Sequence, residues 1–186
     1  MGVETIAVVG SGLMGRGIAY AAAAGGYRTL LHDVSPEALD RARQQIRADL
    51  DEGRARGKLT AGDAEAAYER LRPEPDLERA AGEAGFVIEA VPEQIELKLQ
   101  VFARLDEACR DGVVLASNTS SLSVTEIAAA TRRPRMVVGM HFFNPVPKMK
   151  LVEIVRGPSP LLVQHVKAGR LGKKVGRGVY DYARED

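Results

Sequence analysis

A single cysteine in 186 residues leaves no internal disulfide to be formed. Cys109 lies in an apolar-periodic stretch, so it is expected as a small core residue, and such sparse use of cysteine fits a reducing cytoplasm. An excess of one charge is lacking too: 26 Lys and Arg against 25 Asp and Glu leave a formal net charge of +1. That balance argues against a broad nucleic-acid surface, and no nucleic-acid partner is expected. No apolar run approaches the roughly 20 residues that cross a bilayer. Met1-Gly2-Val3-Glu4-Thr5 passes straight into a strand pattern, which leaves no room for a signal peptide, and Ile6 stands where a myristoylation motif wants Ser or Thr. The expectation is a soluble, cytoplasmic protein with no membrane partner and no metal. Internal repeats and low-complexity segments are absent.

What is present is an apolar fraction of 45%, enough for a sizeable core, on a chain of single-domain length with room for a small appendage. Short apolar runs alternate with helical patterns. Strands are expected over residues 5–9, 28–33, 86–91, 113–117, 136–141 and 151–155. A helix rich in Ala and Gly is expected over 13–24, and others over 95–109 and 123–130. Ser35-Pro36-Glu37 reads as an N-cap, a proline in the first turn and an early acid. Leu39, Ala42, Ile46 and Leu50 then recur at helical spacing to about residue 56. Thr60 is placed to cap a second helix to about residue 71, and the helical pair is expected to project from the sheet. Such alternation predicts an α/β, doubly wound, mostly parallel sheet covered on both faces. Gly157-Pro158-Ser159-Pro160 marks the expected boundary between a domain over 1–157 and a short tail over 158–186.

Gly10-Ser11-Gly12-Leu13-Met14-Gly15 follows the first strand and opens the first helix, the context that a dinucleotide-binding turn requires. Gly10 suits the tight turn, Gly12 the approach of a pyrophosphate, and Gly15 close packing of helix on strand. Asp33 closes the second strand, where a carboxylate accepts bonds from a ribose diol and repels a 2′-phosphate, which favours NAD over NADP. The alternative is a glycine turn that binds nothing, or another nucleotide. Ser117-Asn118-Thr119-Ser120-Ser121 and His141-Phe142-Phe143-Asn144-Pro145 follow later strands, so their polar groups fall at the carboxyl edge of the sheet. Glu153 lies between Val152 and Ile154 in the last strand, where a buried carboxylate needs a partner, and His141 is a plausible one. On the residues alone, His141 reads either as a base held by Glu153 or as a satisfied structural histidine, and Ser120 and Asn144 either bind ligand or tie loops.

The glycine turn, Ser117-Asn118-Thr119-Ser120-Ser121-Leu122 and His141-Phe142-Phe143-Asn144-Pro145 together resemble the 3-hydroxyacyl-CoA dehydrogenases, most closely the 3-hydroxybutyryl-CoA members, over about residues 3–157. The resemblance implies a Rossmann-type fold and reversible, NAD-dependent oxidation of a 3-hydroxyacyl-CoA to a 3-ketoacyl-CoA. It implies that His141 is the general base, Glu153 its orienting carboxylate, and Ser120 and Asn144 ligands of the substrate oxygen that also place the nicotinamide. Cofactor contacts would come from Gly10, Gly12, Leu13, Met14, Gly15, Asp33, Ala90, Val91, Glu93, Lys98, Asn118, Ser120, Asn144 and Lys174. The helical pair resembles the family's projecting hairpin, which touches coenzyme A, so Arg54, Arg56 and Lys58 there would meet its phosphates.

The chain departs from the family after the sheet. The chain reads as the family with its middle helical domain excised, and residues 161–182 resemble the family's extreme C-terminus. Apolar surface left uncovered by that loss implies a homo-oligomer. The missing half of the acyl pocket implies turnover that is weak or confined to short chains such as acetoacetyl-CoA. The other reading is a non-catalytic NAD- or CoA-binding remnant or regulatory module.

Overall fold

The computed structural model describes residues 2–155. The boundary at 157–160, the tail and Lys174 lie outside the described residues.

The first strand, β1 (Thr5–Val9), runs through the glycine turn into α1 (Leu13–Ala24), and the chain returns to pair β2 (Arg28–His32) in parallel with β1. Helix α2 (Pro36–Ala55) starts as its sequence implies, with Ser35 Oγ accepting from the Ala38 N–H at 3.1 Å. Helix α3 (Ala61–Arg70) opens on a reciprocal box in which Thr60 and Asp63 bind each other's backbone N–H. Leu39, Ala42, Ile46 and Leu50 of α2 and Ala64 and Ala67 of α3 bury in one cluster with Ile18, Ala19 and Ala22 of α1. The pair is thus joined to the body along its apolar stripe, and residues 54–58 at its tip are exposed.

Three elements were not foreseen, one of them a single 3-10 turn over Pro134–Met136 ahead of the sixth strand. A three-residue strand, β3 (Leu71–Pro73), pairs with β2 at the sheet edge, where the donor missing from Pro73 is tolerated. Helix α4 (Leu77–Glu83) is capped by Asp76, which accepts from the Arg79 N–H at 2.9 Å.

The remainder comprises β4 (Phe86–Glu89), α5 (Ile95–Ala108), β5 (Val114–Ser117), α6 (Val124–Ala129), β6 (Val137–Phe142) and β7 (Val152–Val155). The seven strands lie in the order β3-β2-β1-β4-β5-β6-β7. All neighbours are parallel except β6 and β7, which are antiparallel because the chain returns between them without a helical crossover. The expected α/β doubly wound sheet is therefore the one observed. Two strands end earlier than expected: β2 stops at His32 and β4 at Glu89, which frees Asp33, Ala90 and Val91 for the loops at the strand tips.

Alternation divides the core in two. Ile6 and Val8 point to the face covered by α1, against whose outer side the helical pair packs. Ala7 and Val9 point to the face covered by Ala80 and Ala81 of α4, Phe102 and Leu105 of α5 and Ile127 of α6. Each fully buried Val, Leu, Ile or Phe contributes about 1.5–3 kcal/mol, so both faces hold the strand tips firmly. Cys109 belongs to the second core, and burial pushes its thiol up to about 11. Among the described residues, no helix is long and apolar enough to cross a membrane. Strand order reverses between β1 and β4, and a doubly wound sheet opens a crevice at such a point.

Candidate active site

Gly10 takes φ +98°, and its N–H donates to the His32 carbonyl at 2.8 Å, which turns the chain sharply off β1. A Cβ on Gly10 would stand 2.7 Å from the Ala90 carbonyl oxygen, and one on Gly15 would stand 1.7 Å from the Gly10 carbonyl oxygen. Helix α1 is pressed against the turn at that point. Gly12 differs: a Cβ there would meet nothing within 4 Å, and no side-chain bond caps the helix that begins after it. Gly12 faces a cavity of about 910 Å³ bordered also by Gly10, Leu13, Met14, Asp33, Ala90, Val91, Glu93, Asn118, Ser120, His141 and Asn144. A bare backbone, a helix N-terminus and a rim carboxylate fit the pyrophosphate and ribose of a dinucleotide.

Asp33 is held in place by a residue the sequence reading passed over. Ser11 donates to Oδ2 from its N–H at 2.8 Å and from its hydroxyl at 2.7 Å, and the Ser35 N–H reaches Oδ1 at 3.1 Å. Burial works against the charged form of Asp33, but these bonds outweigh it and hold the carboxyl below the usual carboxylate range. The spacing of Ser11 carried no signal, because any residue satisfies the position between Gly10 and Gly12 in the motif.

At the far end of the cavity, the Phe142 N–H donates to Asn118 Oδ1 at 2.9 Å and ties the tips of β5 and β6 together. His141 and Glu153 are register partners across β6 and β7, with Nδ1 2.9 Å from Glu153 Oε2. A carboxylate at that distance calls for a proton on Nδ1, so in the neutral imidazole the lone pair lies on Nε2. The imidazole also lies against Phe143, ring centroids 4.6 Å apart. One expectation is corrected: the Glu153 side chain is 56% exposed, not buried among apolar neighbours, because β7 is the edge strand of the sheet.

Lys98 requires a second correction. Its side chain is fully buried, 2.7 Å from Glu89 and 3.2 Å from Glu93, and it does not border the cavity, so it offers no direct contact to a cofactor there. Glu93 does border the cavity, and it accepts from the Ser120 N–H at 3.2 Å and from the Thr119 hydroxyl. Burial opposes the charged form of Glu93, yet the Thr119 hydroxyl and the Lys98 ammonium hold its carboxyl below the usual range. Glu89 was missed by sequence reasoning. The available signal was a carboxylate inside the apolar run Phe86-Val87-Ile88-Glu89-Ala90-Val91.

Arg56 and Lys58 border a separate cleft of about 170 Å³ with Arg16, Lys148, Asp49 and Glu52, and Leu13 and Asn144 border both clefts. Arg56 pairs with Glu52. Arg54 is exposed, lies 3.9 Å from Asp51 and borders neither cleft.

A parallel sheet that carries a glycine turn and a ribose-accepting carboxylate at its switch point defines a dinucleotide-binding domain of the Rossmann type. The family described as "3-hydroxyacyl-CoA dehydrogenase, NAD binding domain" matches residues 5–180, and the chain belongs to it. Its cofactor is NAD. Among curated relatives, the "3-hydroxyadipyl-CoA dehydrogenase" of Escherichia coli (strain K12) is 50% identical over 83% of this chain and 32% of its own length. A "Probable 3-hydroxybutyryl-CoA dehydrogenase" of Bacillus subtilis (strain 168) is 41% identical over 95% of this chain and 61% of its own. Of solved structures, the (S)-3-hydroxybutyryl-CoA dehydrogenase of Ralstonia eutropha superposes with a TM-score of 0.81 at 36% identity, covering 95% of this chain and 62% of that one. The chain thus spans between about a third and three-fifths of the length of these relatives.

Proposed function

We propose that this chain catalyses the reversible, NAD-dependent oxidation of a short-chain 3-hydroxyacyl-CoA to the 3-ketoacyl-CoA, with acetoacetyl-CoA as the keto partner. The observation that carries this reading is the His141–Glu153 pair, 2.9 Å apart, with the imidazole on the wall of the cavity that the glycine turn borders.

When bound, NAD supplies the hydride acceptor for C3 of the substrate. His141 takes the hydroxyl proton on Nε2 as the carbonyl forms, and Glu153 stabilises the imidazolium and fixes its ring plane. Ser120 and Asn144, both on the cavity wall, hydrogen-bond the substrate oxygen and hold C3 against the nicotinamide. In the reverse direction the same imidazolium returns its proton to the new alkoxide.

Gly10, Gly12, Leu13, Met14, Asp33, Ala90, Val91, Glu93 and Asn118 form the cofactor cradle, and Gly15 lets α1 pack against the turn that carries them. Arg56 and Lys58 meet the phosphates of coenzyme A, supported by Arg16 and Lys148 on the same cleft. The chain is cytoplasmic and works as a homo-oligomer. Self-association is supported by the exposed Leu151, Val152, Ile154 and Val155.

The second reading is an NAD- or CoA-binding module without turnover. NADH oxidation followed on addition of acetoacetyl-CoA decides between them. Turnover that His141→Ala abolishes supports the enzyme. NADH binding without turnover supports the binding module.

A further inference from the structure

Next to the cavity lies a buried ionic cluster that the proposed chemistry leaves unused. Glu89 and Lys98 are both 0% exposed, with Nζ 2.7 Å from Glu89 Oε1. The ammonium also reaches Glu93 Oε2 at 3.2 Å and the Val91 carbonyl oxygen at 3.4 Å, which accounts for its three donors. Glu89 is equally occupied: the Val91 N–H donates to Oε1 at 2.7 Å and the Ser117 hydroxyl to Oε2 at 2.6 Å. A buried ion pair is a poor device for stability alone, since well-packed apolar side chains of similar volume often serve as well or better.

The bonds lead outward to the cavity. Glu93 Oε1 accepts from the Thr119 hydroxyl, from the Ser120 N–H at 3.2 Å and from the Ser121 hydroxyl at 3.5 Å. Thr119 Oγ1 in turn accepts from the Leu122 N–H at 2.9 Å. The loop after β5 is therefore held at its start through Ser117 on Glu89 and in its middle through Glu93, and Lys98 joins the two carboxylates. We propose that Glu89 is a positioning residue: acting through Lys98, it fixes Glu93 and the loop 118–122 that presents Ser120 to the cavity. Lys98 then influences the cofactor through Glu93 and not by touching it. The effect on NADH rests on the function proposed above; the effect on the loop stands without it.

The double variant Glu89→Gln/Lys98→Met removes both buried charges with side chains of similar size and leaves neither partner uncompensated. Full-length variant and wild type are compared by thermal unfolding, by amide hydrogen exchange without ligand, and by NADH titration. The expected result is an unchanged melting temperature, faster exchange at Ser120 and Leu122, and NADH affinity weakened about tenfold, as for loss of one hydrogen bond to a charged group. A purely structural pair would not move the last two at constant stability. A folded double variant with wild-type exchange in the loop overturns the inference. Should that variant not fold, Ser117→Ala removes only the hydroxyl bond to Glu89; severalfold faster loop exchange supports the inference and unchanged exchange overturns it. If the wild type itself binds no NADH, the cofactor reading fails and the exchange comparison still decides the role of Glu89.

Discussion

His141 and Glu153 stand directly opposite each other on antiparallel strands, so twelve positions of sequence separation shrink to a 2.9 Å contact. Side chains at one register position share a face of the sheet, and the pair forms without distortion of either strand. The carboxylate is more exposed than the imidazole, at 56% against 24% of the side chain. The base therefore faces the cavity while its partner keeps contact with water.

Removing either partner tests the base and the carboxylate that orients it. His141→Ala should leave NADH binding intact and lower kcat with acetoacetyl-CoA by on the order of 10²–10⁴-fold, the usual contribution of a positioned acid–base group. Glu153→Ala should lower kcat by less, since Nε2 remains. Steady-state kinetics with a parallel NADH titration measures both.

Asp33→Asn keeps the size of the side chain and removes the charge that opposes a 2′-phosphate. The ratio of NADPH to NADH dissociation constants should fall about tenfold or more, equivalent to about 1.4 kcal/mol. Ser11→Ala, which removes one of the two donors to Asp33 Oδ2, should shift the ratio in the same direction by less.

Gly12→Ala and Gly15→Ala should separate ligand space from packing. A Cβ at position 15 collides with backbone, 1.7 Å from the Gly10 carbonyl oxygen, and overpacking of this kind costs about 1–3 kcal/mol or more. Thermal unfolding should show that loss. A Cβ at position 12 meets nothing within 4 Å, so the melting temperature should hold while NADH affinity falls.

Acid should weaken the fold through specific carboxylates. Asp33, Glu93 and Asp106 are all held below the usual carboxylate range, against the opposing effect of burial, by donors from Ser11, from Thr119 and Lys98, and from Arg132 and Arg133. Depressed folded values mean stability that is complete above the unfolded value, about pH 4, and lost as pH falls through the folded one. Melting temperatures should stay level from pH 7 to about 5 and drop below about 4. A steady decline across pH 7–5 would contradict this assignment.

Self-association is read by sedimentation velocity at micromolar concentration. The expected species is heavier than the 20.0 kDa chain. A single boundary at monomer mass would remove the oligomer from the proposal, and Ile154→Lys should dissociate any assembly that uses the apolar outer strand.

Sequence by itself determined the layers of this protein. Local patterns suffice for that: apolar runs such as Ile6-Ala7-Val8-Val9 must be covered on both faces, and the caps Ser35 and Thr60 start helices through bonds to residues only three positions away. The glycine turn was legible for the same reason, since its three roles are properties of contiguous backbone. Only the tertiary structure decided what depends on groups far apart in the chain: Ser11 on Asp33, 22 residues away, and Ser117 on Glu89, 28 residues away. It also decided that Lys98 is buried and Glu153 exposed, because a side chain's solvent contact is set by whatever folds over it and not by its neighbours in sequence.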